Sequence, residues 1–161
     1  RLRPRPMAKL DLLRGYGIAF AAVASVQALV TTAVAFGPLG LDAVGSIALI
    51  AFLAVVNAVL GMALGLFCSA FAQTEFQAVQ FMPVVVIPQI LLCGLFVPRE
   101  SLPDVLSAAS DVLPLSYAVD AMTHLTRGTA VSDVVVDLLV VTAFAVAALG
   151  LGAATLRRRT P

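Results

Sequence analysis

Few side chains in this sequence could carry out chemistry, and their spacing limits what that chemistry is. The one histidine is His124, the one lysine is Lys9, and the two cysteines are Cys68 and Cys93. A phosphate-holding loop needs Gly-x-x-x-x-Gly-Lys-Ser/Thr, so that backbone amides and an ammonium surround the phosphates. Lys9 is followed by Leu10 and has no glycine before it, so this chain binds no nucleotide by that route. The sequence has no Cys/His cluster at metal-ligand spacing, and no nucleophile with both a base and an orienting group. An intramembrane serine protease would need Ser and His at one depth. His124 falls in a polar stretch outside the apolar runs and reads as a surface histidine. The chain is therefore expected to be no enzyme and to hold no cofactor.

The remaining candidates are polar groups inside apolar runs, the default places to look for function in a membrane protein. Gln27 and Asn57 fall near the middle of neighbouring antiparallel segments. They read first as an interhelical hydrogen bond, with a substrate path as the alternative. Asp133 and Asp137 open the last apolar run at i, i+4 spacing. Carboxylates there favour the positive end of a helix, and a proton relay is the alternative. Pro83 and Pro88 each remove a backbone donor and are expected to kink or break their helix. The Gly61–Gly65 pair makes a GxxxG pattern that lets two helices approach closely.

The elements that must position these groups follow from composition. Of 161 residues, 61% are hydrophobic and 12% charged, against about 25% charged in a soluble domain. The bilayer is the solvent that suits such a chain, and lipid admits only helices or closed barrels. Long unbroken runs of Ala, Leu and Val select helices. The expected class is an all-α membrane protein with four transmembrane helices, at about 16–36, 44–67, 78–97 and 132–156, within a membrane domain over 16–161. Cys68 and Cys93 then sit toward opposite faces, too far apart for a disulfide.

Eight of the ten basic residues lie before the first run or after the last, and only Arg99 and Arg127 lie elsewhere. The positive-inside rule makes both ends of the chain cytoplasmic, and juxtamembrane charge accounts for the basic ends without nucleic acid. Residues 98–131 carry too many charges to span, and Pro98, Pro103 and Pro114 divide them. They are expected to form short outer helices that lie on the leaflet or re-enter it. Residues 1–15 form a cytoplasmic segment. Within it, Met7, Leu10, and Leu13 or Arg14 share one helical face in a short amphipathic helix that ends at Gly15. The chain opens without Met in this segment and is expected to be preceded by further sequence.

Two stretches carry a resemblance. Residues 61–104 read GMALGLFCSAFAQTEFQAVQFMPVVVIPQILLCGLFVPRESLPD, and residues 113–128 read LPLSYAVDAMTHLTRG. The ordered features are a small-residue helix end, Ser-Ala-Phe, Glu-Phe-Gln, a Pro-interrupted span ending in Gly-x-Phe-x-Pro, then Leu-Pro and Leu-Pro-Leu-Ser-Tyr-Ala-Val-Asp. This pattern resembles the C-terminal half of ABC-2 type permeases, a family that includes drug-resistance and polysaccharide or lipo-oligosaccharide exporters.

The resemblance implies that the four spans are helices three to six of a six-helix permease in a bacterial inner membrane. It implies a partner ATP-binding subunit that hydrolyses ATP, and a second permease copy, identical or related. Met7, Leu10, Leu13 and Arg14 would form the coupling helix that docks on the ATPase. Glu75, Gln77 and Gln80, with Pro83 and Pro88, would be gating or packing residues. Gln73 and Thr74 stand where the family often has a basic residue, which leaves an ion pair of Glu75 without its partner. The alternatives are a non-transporting assembly protein and an ion-coupled secondary transporter. The latter needs a mid-membrane ionisable pair that the sequence does not reveal.

Overall fold

Every element in the computed structural model of the chain is helical, among the described residues 9–72, 74–128 and 131–158. The long helices are α1 (Lys9–Phe36), α2 (Ile47–Phe71), α3 (Glu75–Leu92) and α6 (Val131–Arg158). Between α3 and α6 come a 3₁₀ turn at Arg99–Ser101 and two short helices, α4 (Asp104–Val112) and α5 (Pro114–Arg127). Four segments are long and apolar enough to cross a membrane: Gly15–Phe36, Ile47–Phe71, Glu75–Leu92 and Ser132–Gly152. At about 1.5 Å per residue, even α3 reaches ~27 Å, close to the ~30 Å of hydrocarbon it must cross.

Helix limits differ from the hydropathy reading where tertiary contacts intervene. The second span starts at Ile47 rather than Val44. Val44 is held outside the helix because its N–H donates to the Thr126 carbonyl at 3.2 Å. The third starts early, at Glu75, because the Thr74 hydroxyl accepts from the Gln77 N–H at 3.2 Å. It ends early because Gly94, at φ +90°, turns the chain away. Of the two outcomes expected at Pro83 and Pro88, a kink or a break, the break does not occur, since α3 runs through both. Both lie on the exposed side of the helix, where no neighbour crowds the bend a proline imposes, and a membrane helix tolerates the lost donor. The separate helix expected to stop at Gly15 is also not formed, since α1 runs through that residue without a break. Stopping there would strand four carbonyls, whereas a helical glycine costs only about 1 kcal/mol. Met7 lies outside the described residues.

The core lies where α5 fits between α2 and α6. Ala118 packs with Leu60, Ala63, Val141, Ala145 and Ala148. Ala121 and Leu125 pack with Ile50, Leu53 and Val134. The buried positions 118, 121 and 125 of α5 and 134, 141, 145 and 148 of α6 repeat at helical spacing, so each helix presents one narrow stripe. Lipid supplies no hydrophobic drive between helices, so close backbone approach through small residues does the packing. α5 runs antiparallel to α2, and Leu115 in its first turn packs against the cluster that holds Leu60, with Leu64 packed against the same cluster. That point lies roughly 20 Å along α2 from Ile47. The α4–α5 hairpin therefore dips into the bundle instead of lying across its end.

The hairpin is pinned at its far end by two glycines. A Cβ on Gly45 would stand 2.2 Å from the Leu125 carbonyl oxygen, a backbone atom. Gly128 caps α5 at φ +71°, and a Cβ there would meet Val44 Cγ1 at 2.7 Å. A Cβ on Gly61, by contrast, would meet nothing within 4 Å. Gly45→Ala is expected to lower thermal stability in detergent by about 2–3 kcal/mol, as an overpacked site does. Gly61→Ala should be neutral or stabilise by up to about 1 kcal/mol. Equal melting temperatures for the two variants would refute this account of the turn.

Candidate functional site

Gln27 and Asn57 meet in one place, as their positions in α1 and α2 suggest, but not as hydrogen-bond partners. Both line a cleft of about 580 Å³ between α1, α2 and α5. The expected hydrogen bond is not made to Asn57 Oδ1, which is buried with no hydrogen-bond partner. Thr31, Thr32 and Thr126 add hydroxyls to the same wall. Asn57 also lines a second cavity of about 380 Å³ on the α3 side, shared with Gln89 and Leu115. Gln89 is buried, and its Nε2 donates to the Val85 carbonyl at 3.1 Å. Its position in the middle of a span was the available signal, and the reading of that span through its prolines passed it over.

The α4–α5 hairpin is tied to the end of α3 by polar contacts. Arg99 bonds the carboxylates of both Asp111 and Asp120. Its guanidinium lies 5.9 Å from the centre of the Tyr117 ring, within cation–π range. Tyr117 in turn donates from its hydroxyl to the Asp111 carbonyl at 2.8 Å. Deeper in, the buried Ser110 donates to the Leu92 carbonyl at 2.8 Å, and its Oγ lies 3.0 Å from Ser116 Oγ. The Leu92 carbonyl is one that the end of α3 leaves without a helical partner. Arg99 thus gathers charges from two helices, a role that the charge tally of this segment does not disclose.

His124 is not the free surface histidine that the sequence suggests. Its Nδ1 stands 3.3 Å from Asp137 Oδ2, linking α5 to α6. Asp137 occupies the packed stripe of α6, three residues after Val134, and only 9% of it is exposed. Tertiary packing explains the change, because Ala121 and Leu125 press that face of α5 against α6. An ionisable pair does exist, then, though near the Ile50 end of the bundle rather than at mid-depth.

The groups expected to gate or couple collect at the opposite end. Leu10, Leu13 and Arg14 lie in the first turns of α1, at the same end as the turn between α2 and α3. Glu75 and Gln80 are exposed and Gln77 is half-buried. Glu75 stands in the first turn of α3, where a carboxylate complements the helix dipole. Among the described residues no group of three His, Cys, Asp or Glu side chains could hold a metal ion.

Comparison with known proteins adds a family. The family model described as ABC-2 type transporter matches residues 1–126. A relative, ABC transporter G family member 20 of Dictyostelium discoideum, is 36% identical over 78 residues. That match covers 48% of this chain and 11% of the relative, so the chain spans a small part of that protein's length.

The Arg99 cluster generates an ordered prediction. Asp111 is 60% exposed and Asp120 33% exposed. An exposed pair is worth about 0–1 kcal/mol, while a charged hydrogen bond with less solvent reaches about 1.5–3 kcal/mol. Amide hydrogen exchange over residues 104–127 should therefore quicken little in Asp111→Asn, more in Asp120→Asn and most in Arg99→Gln. The reverse order for the two aspartates would show that Arg99 is not held as described.

Proposed function

The chain belongs to the ABC-2 type transporter family, and from that premise we propose that it works as the membrane-spanning permease subunit of an ATP-driven exporter. The observation that carries the reading is the match over residues 1–126 of a chain with four candidate spans. The substrate class is a drug, lipid or glycan-type molecule moved outward. Two permease copies and a separate ATP-binding subunit complete the transporter in this reading, and residues 1–161 themselves hold no phosphate-binding loop. Both ends face the cytoplasm of a bacterial inner membrane, in keeping with basic residues on the two ends.

The bundle suggests how force would pass. The start of α1 and the α2–α3 turn lie at one end, so a single docked ATPase could touch both. α1 is continuous from Lys9 to Phe36, and a push on its first turns reaches the cleft without crossing a hinge. The start of α3 next to that turn is capped by the Thr74 hydroxyl. Alternating access follows if ATP-bound and nucleotide-free ATPases favour different spacings of α1, α2 and α3. A driving ligand must bind one state better than the other, or no cycle turns.

Co-expression of the full-length permease with its ATPase, then purification in mild detergent, tests the reading. The ATPase should co-purify with the intact protein, and scrambling residues 7–14 should weaken the association at least about fivefold, the low end of measured couplings. Glu75→Gln should leave binding intact and reduce substrate-stimulated ATP hydrolysis. If no ATPase binds the intact protein with or without nucleotide, a non-transporting assembly role replaces this one. If Glu75→Gln transports normally, Glu75 serves only as the first-turn charge of α3.

A further inference from the structure

The seam between α5 and α6 holds a buried carboxylate, and one group is placed to neutralise it. Asp137 sits in the packed stripe of α6 with its side chain 13% exposed, and its Oδ2 faces His124 Nδ1 across 3.3 Å. Both atoms are buried. Taking a carboxylate out of water is expensive unless a counter-charge meets it. Among the described residues, the other charged groups on the packed elements do not serve. Asp120 stands one turn before His124 on α5, and Asp133 one turn before Asp137 on α6, so both add negative charge. Arg99 reaches Asp120 but is already divided between that residue and Asp111. Arg127, in the last turn of α5, and Asp42, in the turn before α2, are exposed. α2 has no titratable side chain from Ile47 to Phe67. The charged groups of α1 and α3, namely Lys9, Asp11, Arg14 and Glu75, lie at the opposite end of the bundle.

What can balance Asp137 is a proton. Imidazole is the side chain whose charge changes between about pH 5 and 8. Neutral, it has one donor and one acceptor; as imidazolium, both nitrogens donate. Proton uptake therefore secures a donor at Nδ1 and takes the pair from a net negative charge to none. His124 also lies in the last turn of α5, where the helix carbonyls favour a cation. Its side chain is 35% exposed, so water can deliver and remove the proton. We propose that His124 and Asp137 form a proton-binding site that latches the hairpin to α6. With the proton bound, α5 is seated; without it, the seam carries an unbalanced charge and opens more readily. The seated form holds the proton more tightly than the open form, so the latch is strongest at low pH and weakens as pH rises. The two groups titrate as one unit. The inference takes from the exporter reading only the outer side that the site faces.

The test uses the full-length permease in lipid nanodiscs. Amide hydrogen exchange is followed at about pH 5.5 and about pH 8, values that bracket the imidazole range, with intrinsic rates divided out. Protection over residues 114–127 should be about tenfold higher at the lower pH, the scale of one hydrogen bond to a charged group. Asp137→Asn leaves no charge to balance and should hold the seam equally at both values. His124→Gln keeps a side-chain donor but cannot take the proton, and should also lose the step. Asp133→Asn, at an exposed position on the same helix, should keep it. A step that survives in either of the first two variants would belong to other groups and overturn the proposal. Equal protection at both values in the unmutated permease would do the same. If His124→Gln fails to fold, Asp137→Asn alone decides. The measurement needs no ATPase. A permease that shows the step but recruits no ATPase loses the transport reading and keeps the latch; one that transports without the step loses only the latch.

Discussion

The rest of this structure depends on one contact, the close packing of α5 between α2 and α6 through alanines. Ala118 and Ala121 are fully buried there, Ala118 against Ala63, Ala145 and Ala148, and Ala121 against Ile50, Leu53 and Val134. In lipid, association has to come from dispersion at short range, since the solvent around the helices is as apolar as their side chains. Small residues shorten that range. They also leave no room for error, which is why the chain turn facing α5 uses Gly45 and the α5 cap uses Gly128. A bundle of four bare spans could slide; a bundle with a fifth helix lodged in it has a fixed register.

Once α5 is seated, the polar chemistry around it follows. A hairpin that enters the bundle brings backbone ends and charges with it, and these must be met locally because water is scarce. The Ser110 hydroxyl meets the Leu92 carbonyl, Arg99 meets Asp111 and Asp120, and His124 meets Asp137. These contacts join α5 or its loop to a neighbour and would not exist for a helix lying on the leaflet. The cleft beside Asn57 comes from the same placement, since Met122 and Thr126 of α5 form one of its walls.

α3 stands apart from this network. Much of its length is exposed, including Phe76, Val79, Val84 and Ile87, and its two prolines face outward. It meets the bundle near Gln89 and the Leu92 carbonyl, close to the hairpin, and again where Met82 lies beside Gly65 of α2.

The sequence by itself determined the class, the number of spans and the family, because each rests on a one-dimensional quantity. Runs of about twenty apolar residues report a bilayer crossing, and ordered motifs over residues 61–128 report relatedness. It also brought out Gln27 and Asn57, since a polar side chain in an apolar run is conspicuous without any partner. Only the tertiary structure decided what those groups face. It left Gln27 and Asn57 on a cleft instead of bonded, paired His124 with Asp137 across two helices, gathered Asp111 and Asp120 on Arg99, and carried α3 helically through Pro83 and Pro88. Each of these outcomes depends on the rotation and depth of a helix relative to its neighbours. In a span that is apolar on every side, hydropathy is nearly constant around the helix axis and carries no record of that rotation. The depth of the hairpin was set by alanine stripes, whose meaning appears only when two helices are brought within reach of each other.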